Sequence, residues 1–371
     1  MKRLAVLGVV ILALLWGTGA RPEESDRERV YTRVNLVSDI AGVARFTDPN
    51  LVNPWGLAFS ATSPFWIADN GSGVSTLYNG RGQALPVDAP LVVTIPSPPN
   101  PTGGGTPTGL VFNGTDEFVV KANDKSGSPP FLFATEDGTI LGWSPTVNGT
   151  QAIIAVDNSD AGAVYKGLAI ASTATGSNFL YATNFHAGVV EMYDKNSALV
   201  KTFTDPDVDQ NFAPFGIQNI SGQLYVTFAL QKLSDKHDDE AGPGNGFVDV
   251  FDTDGTLLRR FASHGLLNSP WGLALAPEGF GQFSHHLLVG NFGDGRINAF
   301  DVDSGALDSQ LLDPEGNPLT INGLWALQFG NGAPNGGSRH TLFFTAGIAD
   351  ESHGLFGFIR ARHEDDEDDA P

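Results

Sequence analysis

The residues able to do chemistry in this chain are Asn, Asp, Glu and His on short polar loops. There is no Cys among the 371 residues, which excludes thiol nucleophiles, Cys-based zinc or iron–sulfur centres and a disulfide scaffold. Gly71-Ser72-Gly73 lacks the Gly-x-Ser-x-Gly pattern of a nucleophile elbow. Gly103-Gly104-Gly105-Thr106 is not followed by Gly-Lys-Ser/Thr, so it is no phosphate loop. Asp252-x-Asp254-Gly255, Asp301-x-Asp303 and Asp313-Pro314-Glu315-Gly316 suggest calcium loops, but each lacks the further ligands and distal Glu of an EF-hand.

The remaining loops are Asp69-Asn70-Gly71-Ser72-Gly73, Glu136-Asp137-Gly138, Asn184-Phe185-His186-Ala187-Gly188, Asn291-Phe292-Gly293-Asp294-Gly295 and Asp350-Glu351-Ser352-His353-Gly354. A longer one runs from Gln231 to Gly246 through Lys236-His237-Asp238-Asp239-Glu240. Brought together, Asn70, Asn184, Asn291, Asp238 and Glu351 offer oxygens to a hard cation such as calcium, which takes six to eight. His186, His237 and His353 offer nitrogens to a softer divalent metal, and His237 is the first candidate for a general base. The competing reading is that Asn/Asp-x-Gly is hairpin-turn chemistry and the histidines cap loops or face water. The 231–246 loop is the hardest to explain as a turn, because long loops in compact domains are usually functional or disordered.

These loops need elements to hold them, and internal repetition supplies the elements. A Gly-centred strand recurs as Pro54-Trp55-Gly56-Leu57-Ala58, Pro107-Thr108-Gly109-Leu110-Val111, Tyr165-Lys166-Gly167-Leu168-Ala169, Pro214-Phe215-Gly216-Ile217 and Pro270-Trp271-Gly272-Leu273-Ala274. The sixth copy is taken as Asn322-Gly323-Leu324-Trp325-Ala326. The glycines stand 49 to 58 residues apart. An apolar second strand follows each copy, as in Phe65-Trp66-Ile67-Ala68 and Leu342-Phe343-Phe344-Thr345. Strands apolar on both faces must lie between two layers. A third strand places an aromatic at Tyr78, Trp143, Tyr193, Phe251, Phe300 and Phe358. Fourth strands follow at 91–95, 152–156 and 257–261.

Four antiparallel strands repeated about every fifty residues predict an all-β, six-bladed β-propeller over residues 30–360. The sixth unit lacks a fourth strand. The orphan strand Thr32–Val37 is expected to supply it and close the ring, removing exposed edges. The loops joining second to third strands then share one face around the channel mouth.

The ends are expected to lie outside the ring. Lys2 and Arg3, the apolar run Leu4–Trp16 and Thr18-Gly19-Ala20 read as a signal peptide over residues 1–20. Residues 21–29 read as a linker and 361–371 as an acidic disordered tail. The net charge of -21 argues against a nucleic-acid surface.

Asn53-Pro54-Trp55-Gly56-Leu57-Ala58, Asp235-Lys236-His237-Asp238-Asp239 with Gly242-Pro243-Gly244-Asn245-Gly246, and Asn291-Phe292-Gly293-Asp294-Gly295 resemble an uncharacterised family of exported bacterial β-propeller proteins. Some of its members end in a PEP-CTERM sorting signal, where this chain carries its acidic tail. The resemblance implies the fold and export, and brings no activity. A looser resemblance, in blade number and Asn/Asp-rich loops, is to six-bladed NHL and gluconolactonase/paraoxonase-like propellers. Their lactonase members hold calcium in the channel, so it implies a divalent metal as cofactor. The first expectation is a secreted or periplasmic, monomeric binding module for a protein, peptide or glycan, with no membrane span after leader cleavage. The alternative is a metal-dependent lactonase- or esterase-like hydrolase with its site at the channel mouth.

Overall fold

The computed structural model describes residues 30–98 and 100–362. The expected leader and linker lie outside them, as does the tail from residue 363. Ala361 and Arg362 belong to the ring: Ala361 pairs with Tyr31, and the Arg362 amide donates to the Val30 carbonyl.

Six sheets of four principal strands form a six-bladed β-propeller. Blade one is built from Pro54–Ala58, Phe65–Asp69, Val74–Tyr78 and Val92–Thr94, and blade two from Pro107–Phe112, Phe131–Thr135, Thr139–Trp143 and Ile153–Asp157. Blades three to five repeat this order from Tyr165–Ser172, Phe212–Ile220 and Pro270–Leu275 outward. In blade six, Leu324–Phe329, Leu342–Ile348 and His353–Ala361 are completed by the N-terminal strand Tyr31–Ser38, which runs antiparallel to His353–Ala361. The only helical segments among the described residues are the short turns Ser159–Ala161 and Gly281–Phe283. No helix among them is long and apolar enough to cross a membrane.

The repeat has a physical basis in each layer. The second strands Phe65–Asp69 and Phe131–Thr135 are buried along their whole length, because neighbouring blades cover both faces. The third-strand aromatics lie opposite apolar second-strand residues in every blade. The pairs are Phe65 with Tyr78, Phe131 with Trp143, Leu180 with Tyr193, Leu224 with Phe251, Leu287 with Phe300 and Phe343 with Phe358. Cross-strand aromatic pairs of this kind stabilise a sheet by roughly 0.2–1 kcal/mol each.

The inner glycines answer to close approach between blades. A Cβ on Gly216 would stand 2.2 Å from the Trp271 carbonyl oxygen, and one on Gly272 would stand 2.4 Å from that of Trp325. The second contact corrects the sequence alignment of blade six. Trp325 takes the place of Trp271, so Ala326 rather than Gly323 stands at the inner glycine position. The strand register agrees, since Leu57 faces Ile67 and Leu327 faces Phe344 at matching points. Gly323 instead lies in the turn before the strand, with φ +67 and the Gly347 carbonyl 2.0 Å from where a Cβ would be.

Candidate functional site at the channel mouth

One residue precedes each inner glycine, or Ala326, on the innermost strands. The six are Trp55, Thr108, Lys166, Phe215, Trp271 and Trp325. Aromatic residues from blades one, four, five and six meet at the centre. Trp55 stacks on Trp325 at 3.4 Å, and Phe292 stacks on Trp325 at 4.0 Å. Trp271 and Phe215 meet Trp325 edge-on at 5.8 and 6.0 Å. These rings plug the channel, with Trp55 and Trp325 almost wholly buried.

Lys166 is the one charged residue in this inner set. Its ammonium lies 5.1 Å from the Trp55 ring centre and pairs with Glu136 Oε1, both side chains being buried. The other Glu136 oxygen accepts from Asn70 Nδ2 at 2.8 Å. Asn70 Oδ1 faces Asn53 Nδ2 at 3.3 Å, and Asn53 Nδ2 donates to Glu351 Oε2 at 2.8 Å. Trp325 Nε1 donates to Asn53 Oδ1 at 3.1 Å, anchoring this polar chain to the plug. Burial raises the pKa of Glu351. The Glu136 and Asp239 charges add to the rise, while the Asn53 bond and Lys166 oppose it.

The 231–246 connection of blade four closes over this network. Gln231 donates its side-chain amide to the Phe185 carbonyl in blade three, and the Gly242 amide donates to Asn268 Oδ1 in blade five at 2.7 Å. This carries His237 Nδ1 to 3.9 Å from Glu136 Oε1 and 3.0 Å from Asp238 Oδ1. Partial burial works against the Asp238 charge, but His237, Lys166 and Lys232 outweigh it and hold its pKa low. Asp239 is buried, which raises its pKa, with Lys166 among the opposing groups. The buried Trp55 Nε1 donor here meets no partner, while the Asp239 carboxyl has the Ser269 hydroxyl beside it.

The structure divides the residues singled out from sequence. Asn70, His237, Asp238 and Glu351 come together around Glu136. Asn184 is occupied inside blade three, with Nδ2 on Glu191 Oε1 and Oδ1 on the Ala187 amide. Asn291 ties its own loop, through Asp294, to the segment before the first strand of blade five, through the Leu266 carbonyl. His353 Nδ1 lies 2.6 Å from Asp39 Oδ2, and His186 is exposed on the blade-three loop. Glu136 and Asp239, on the second-to-third loops, and Asn53 and Lys166, on the fourth-to-first loops, belong to the channel face by sequence but are not among the candidate ligands drawn from it. The available signal was Lys166, a lone charge at a repeat position otherwise held by Trp, Phe or Thr.

Glu136, His237 and Asp238 bring one ligand atom each within 4.8 Å of one another. Two carboxylates and one imidazole fall short of the oxygen set calcium takes. The Lys166 ammonium already sits on Glu136, and Lys232 Nζ lies 3.6 Å from Asp238. The cluster does not fit a calcium site. A softer divalent cation taking these three donors would have to displace Lys166 from Glu136.

No protein-family model matches the chain. It is 33% identical over 332 residues to the uncharacterised protein R648 of Acanthamoeba polyphaga mimivirus, covering 87% of this chain and 78% of that one. Another uncharacterised protein of the same virus, L690, is 31% identical over 332 residues, covering 87% and 84%. Among solved structures, the soluble aldose sugar dehydrogenase of Escherichia coli superposes with a TM-score of 0.53 at 13% identity, covering 90% of this chain and 100% of that one. A streptogramin B lyase superposes at 0.51 and 11% identity, covering 90% and 97%. At such identity these two show the shared fold alone, and fold does not determine function.

Proposed function

The chain belongs to the same family as the two mimivirus proteins, which bring no activity with them, and from its own geometry we propose that it is a binding module for a small polar molecule. The site is the lidded channel mouth over the aromatic plug. The observation that carries this reading is the unpartnered buried donor Trp55 Nε1, held beside Lys166. Leaving a buried donor or acceptor unmet costs about 1–3 kcal/mol. A ligand presenting an acceptor, directly or through a bound water, recovers that cost. The plug leaves the lid side as the approach. Residues 1–20 support export, which a reporter fused to that segment would test by its appearance outside the cytoplasm.

The test is thermal unfolding against a panel of small polar molecules. A ligand at a hundred times its Kd adds about 2.7 kcal/mol of stability. A true ligand should lose most of that shift in Trp55→Phe, which keeps the ring and removes the donor. A panel with no hit, or hits indifferent to Trp55→Phe, would refute the reading. A second reading, metal-dependent lactone or ester hydrolysis with His237 moving the proton, is favoured by the Glu136–His237–Asp238 proximity. It requires stoichiometric metal in the purified protein and EDTA-sensitive unfolding.

A further inference from the structure

Beside the channel mouth, a cleft opens between blades five and six. Its volume is about 390 Å³, and its lining includes Phe292, Asp294, Asp350, Glu351 and Ala241 of the 231–246 connection. That volume falls in the range of small-molecule pockets. Phe292 is half-buried and spends one face on Trp325, at 16° between planes. The lining carries three carboxyl groups and no Lys, Arg or His. Lys166, whose charge acts on Glu351, is already paired with Glu136. The Asp239 carboxyl, nine-tenths buried, adds its negative charge to the field at Glu351.

The ligand class follows from the charge and the ring together. An anion meets only repulsion here. A neutral polyol can lie on Phe292 but leaves the carboxylates without a counter-charge. A small hydrated metal ion gains little from an aromatic face, and Asp294 Oδ1 is already tied to Asn291 Nδ2 at 3.0 Å and the Arg296 amide at 3.2 Å. A weakly hydrated organic cation uses both features, the ring face by cation–π attraction and the carboxylates by charge. We propose that this cleft binds a small organic ammonium ion, its charged head between Glu351 and the face of Phe292 and its body extending past Asp350 toward the rim. The assignment deepens the small-molecule reading above and rests on it.

Titration calorimetry on the full chain tests it with choline and with its neutral isostere 3,3-dimethyl-1-butanol. Choline should bind at least tenfold more tightly than the isostere. Phe292→Leu, which keeps apolar volume and removes the ring, should weaken choline about fivefold, the size of a partly desolvated cation–π contact. Glu351→Gln should weaken it tenfold or more. Asp350→Asn, on an exposed loop outside the plug, should weaken it about threefold and covers the case in which Phe292→Leu unfolds. Asp303→Asn, on an opposite-face turn, should change nothing. Equal binding of the isostere, or displacement of choline by Ca²⁺ with no effect of Phe292→Leu, overturns the ammonium assignment. If choline fails to bind while a neutral polar molecule binds in a Trp55-dependent way, the assignment falls and the small-molecule reading stands. If neither binds, both fall.

Discussion

Lys166→Met is the sharpest probe of the channel mouth. The Lys166 and Glu136 side chains are only 3% and 10% exposed, so water can do little for either once its partner is gone. Removing one partner of a buried pair costs about 3–5 kcal/mol, because the other charge stays behind uncompensated. Glu136 keeps its bond from Asn70 Nδ2, and His237 Nδ1 lies 3.9 Å from its other oxygen, so the lower end applies, about 3 kcal/mol. A ring of roughly 330 residues unfolds with an entropy near 0.7 kcal/mol per kelvin, so the expected fall in Tm is about 4 °C. Glu136→Gln should cost a similar amount by stranding the ammonium against Trp55 and Phe185. The double variant Lys166→Met/Glu136→Gln should recover most of the loss, giving a coupling of at least ~2 kcal/mol in a double-mutant cycle by urea unfolding. A coupling below about 0.5 kcal/mol, the value of a solvated surface pair, would refute the buried-pair argument.

Two further predictions concern the scaffold. Asp249 and Asp205 share one guanidinium, with Arg260 Nε 2.6 Å from Asp249 Oδ1 and its Nη2 on Asp205. Burial, opposed by Arg260 and reinforced by Asp205, pushes Asp249 up to about 7. A carboxyl whose pKa is raised on folding binds its proton more tightly in the native state, so its contribution is full below about pH 4 and is lost as pH rises through 7. The stability difference between wild type and Asp249→Asn should therefore fall by up to about 4 kcal/mol from pH 4 to pH 8. Urea unfolding at each pH measures it, and a flat difference curve would count against the assignment. Gly216→Ala drives a Cβ to 2.2 Å from the Trp271 carbonyl and should cost about 3 kcal/mol or more, whereas Gly149→Ala meets nothing within 4 Å and should change stability by only a few tenths. Equal Tm values for the two variants would show that the inner strands are not packed against each other as described.

The ring was legible because each repeated residue answers to a contact in its own blade or the next. Tyr78 needs Phe65 opposite it, and Phe358 needs Phe343, so the aromatic period survives in the sequence. The sixth inner glycine was misplaced by three residues for a related reason. Gly323-Leu324 copies the local pattern of Gly272-Leu273, and only the contact between Gly272 and the Trp325 carbonyl reveals that Ala326 holds the position. The loops of the site were legible as a class, since blade geometry sends them to one face. Which side chains meet was not. Asn53 and Glu351 are 298 residues apart, and Lys166 and Trp271 are 105 apart. Spacing within one unit says nothing about contacts between units.

His353 shows what that difference means for the site. As a histidine on a polar loop, it had the chemistry of a ligand. The ring uses it at the seam. Asp39, just past the N-terminal strand, accepts from the Gly354 amide at 2.8 Å and lies 2.6 Å from His353 Nδ1, while Ser38 Oγ donates to the Gly354 carbonyl at 2.7 Å. These bonds tie the closing strand to the loop that carries Glu351. The other side of the seam is blade one, which brings Asn53 and Trp55. Asn53 reaches back to Glu351 and Trp325 of blade six, and Trp55 stacks on Trp325. The Asn53 bonds to Glu351 and Trp325 therefore span the one junction that covalent continuity does not make. An open ring would keep the Lys166–Glu136 pair of blades two and three, but it would lack the Asn53–Glu351 bond and the stacked plug beneath. Closing the ring and completing the channel mouth are the same structural event.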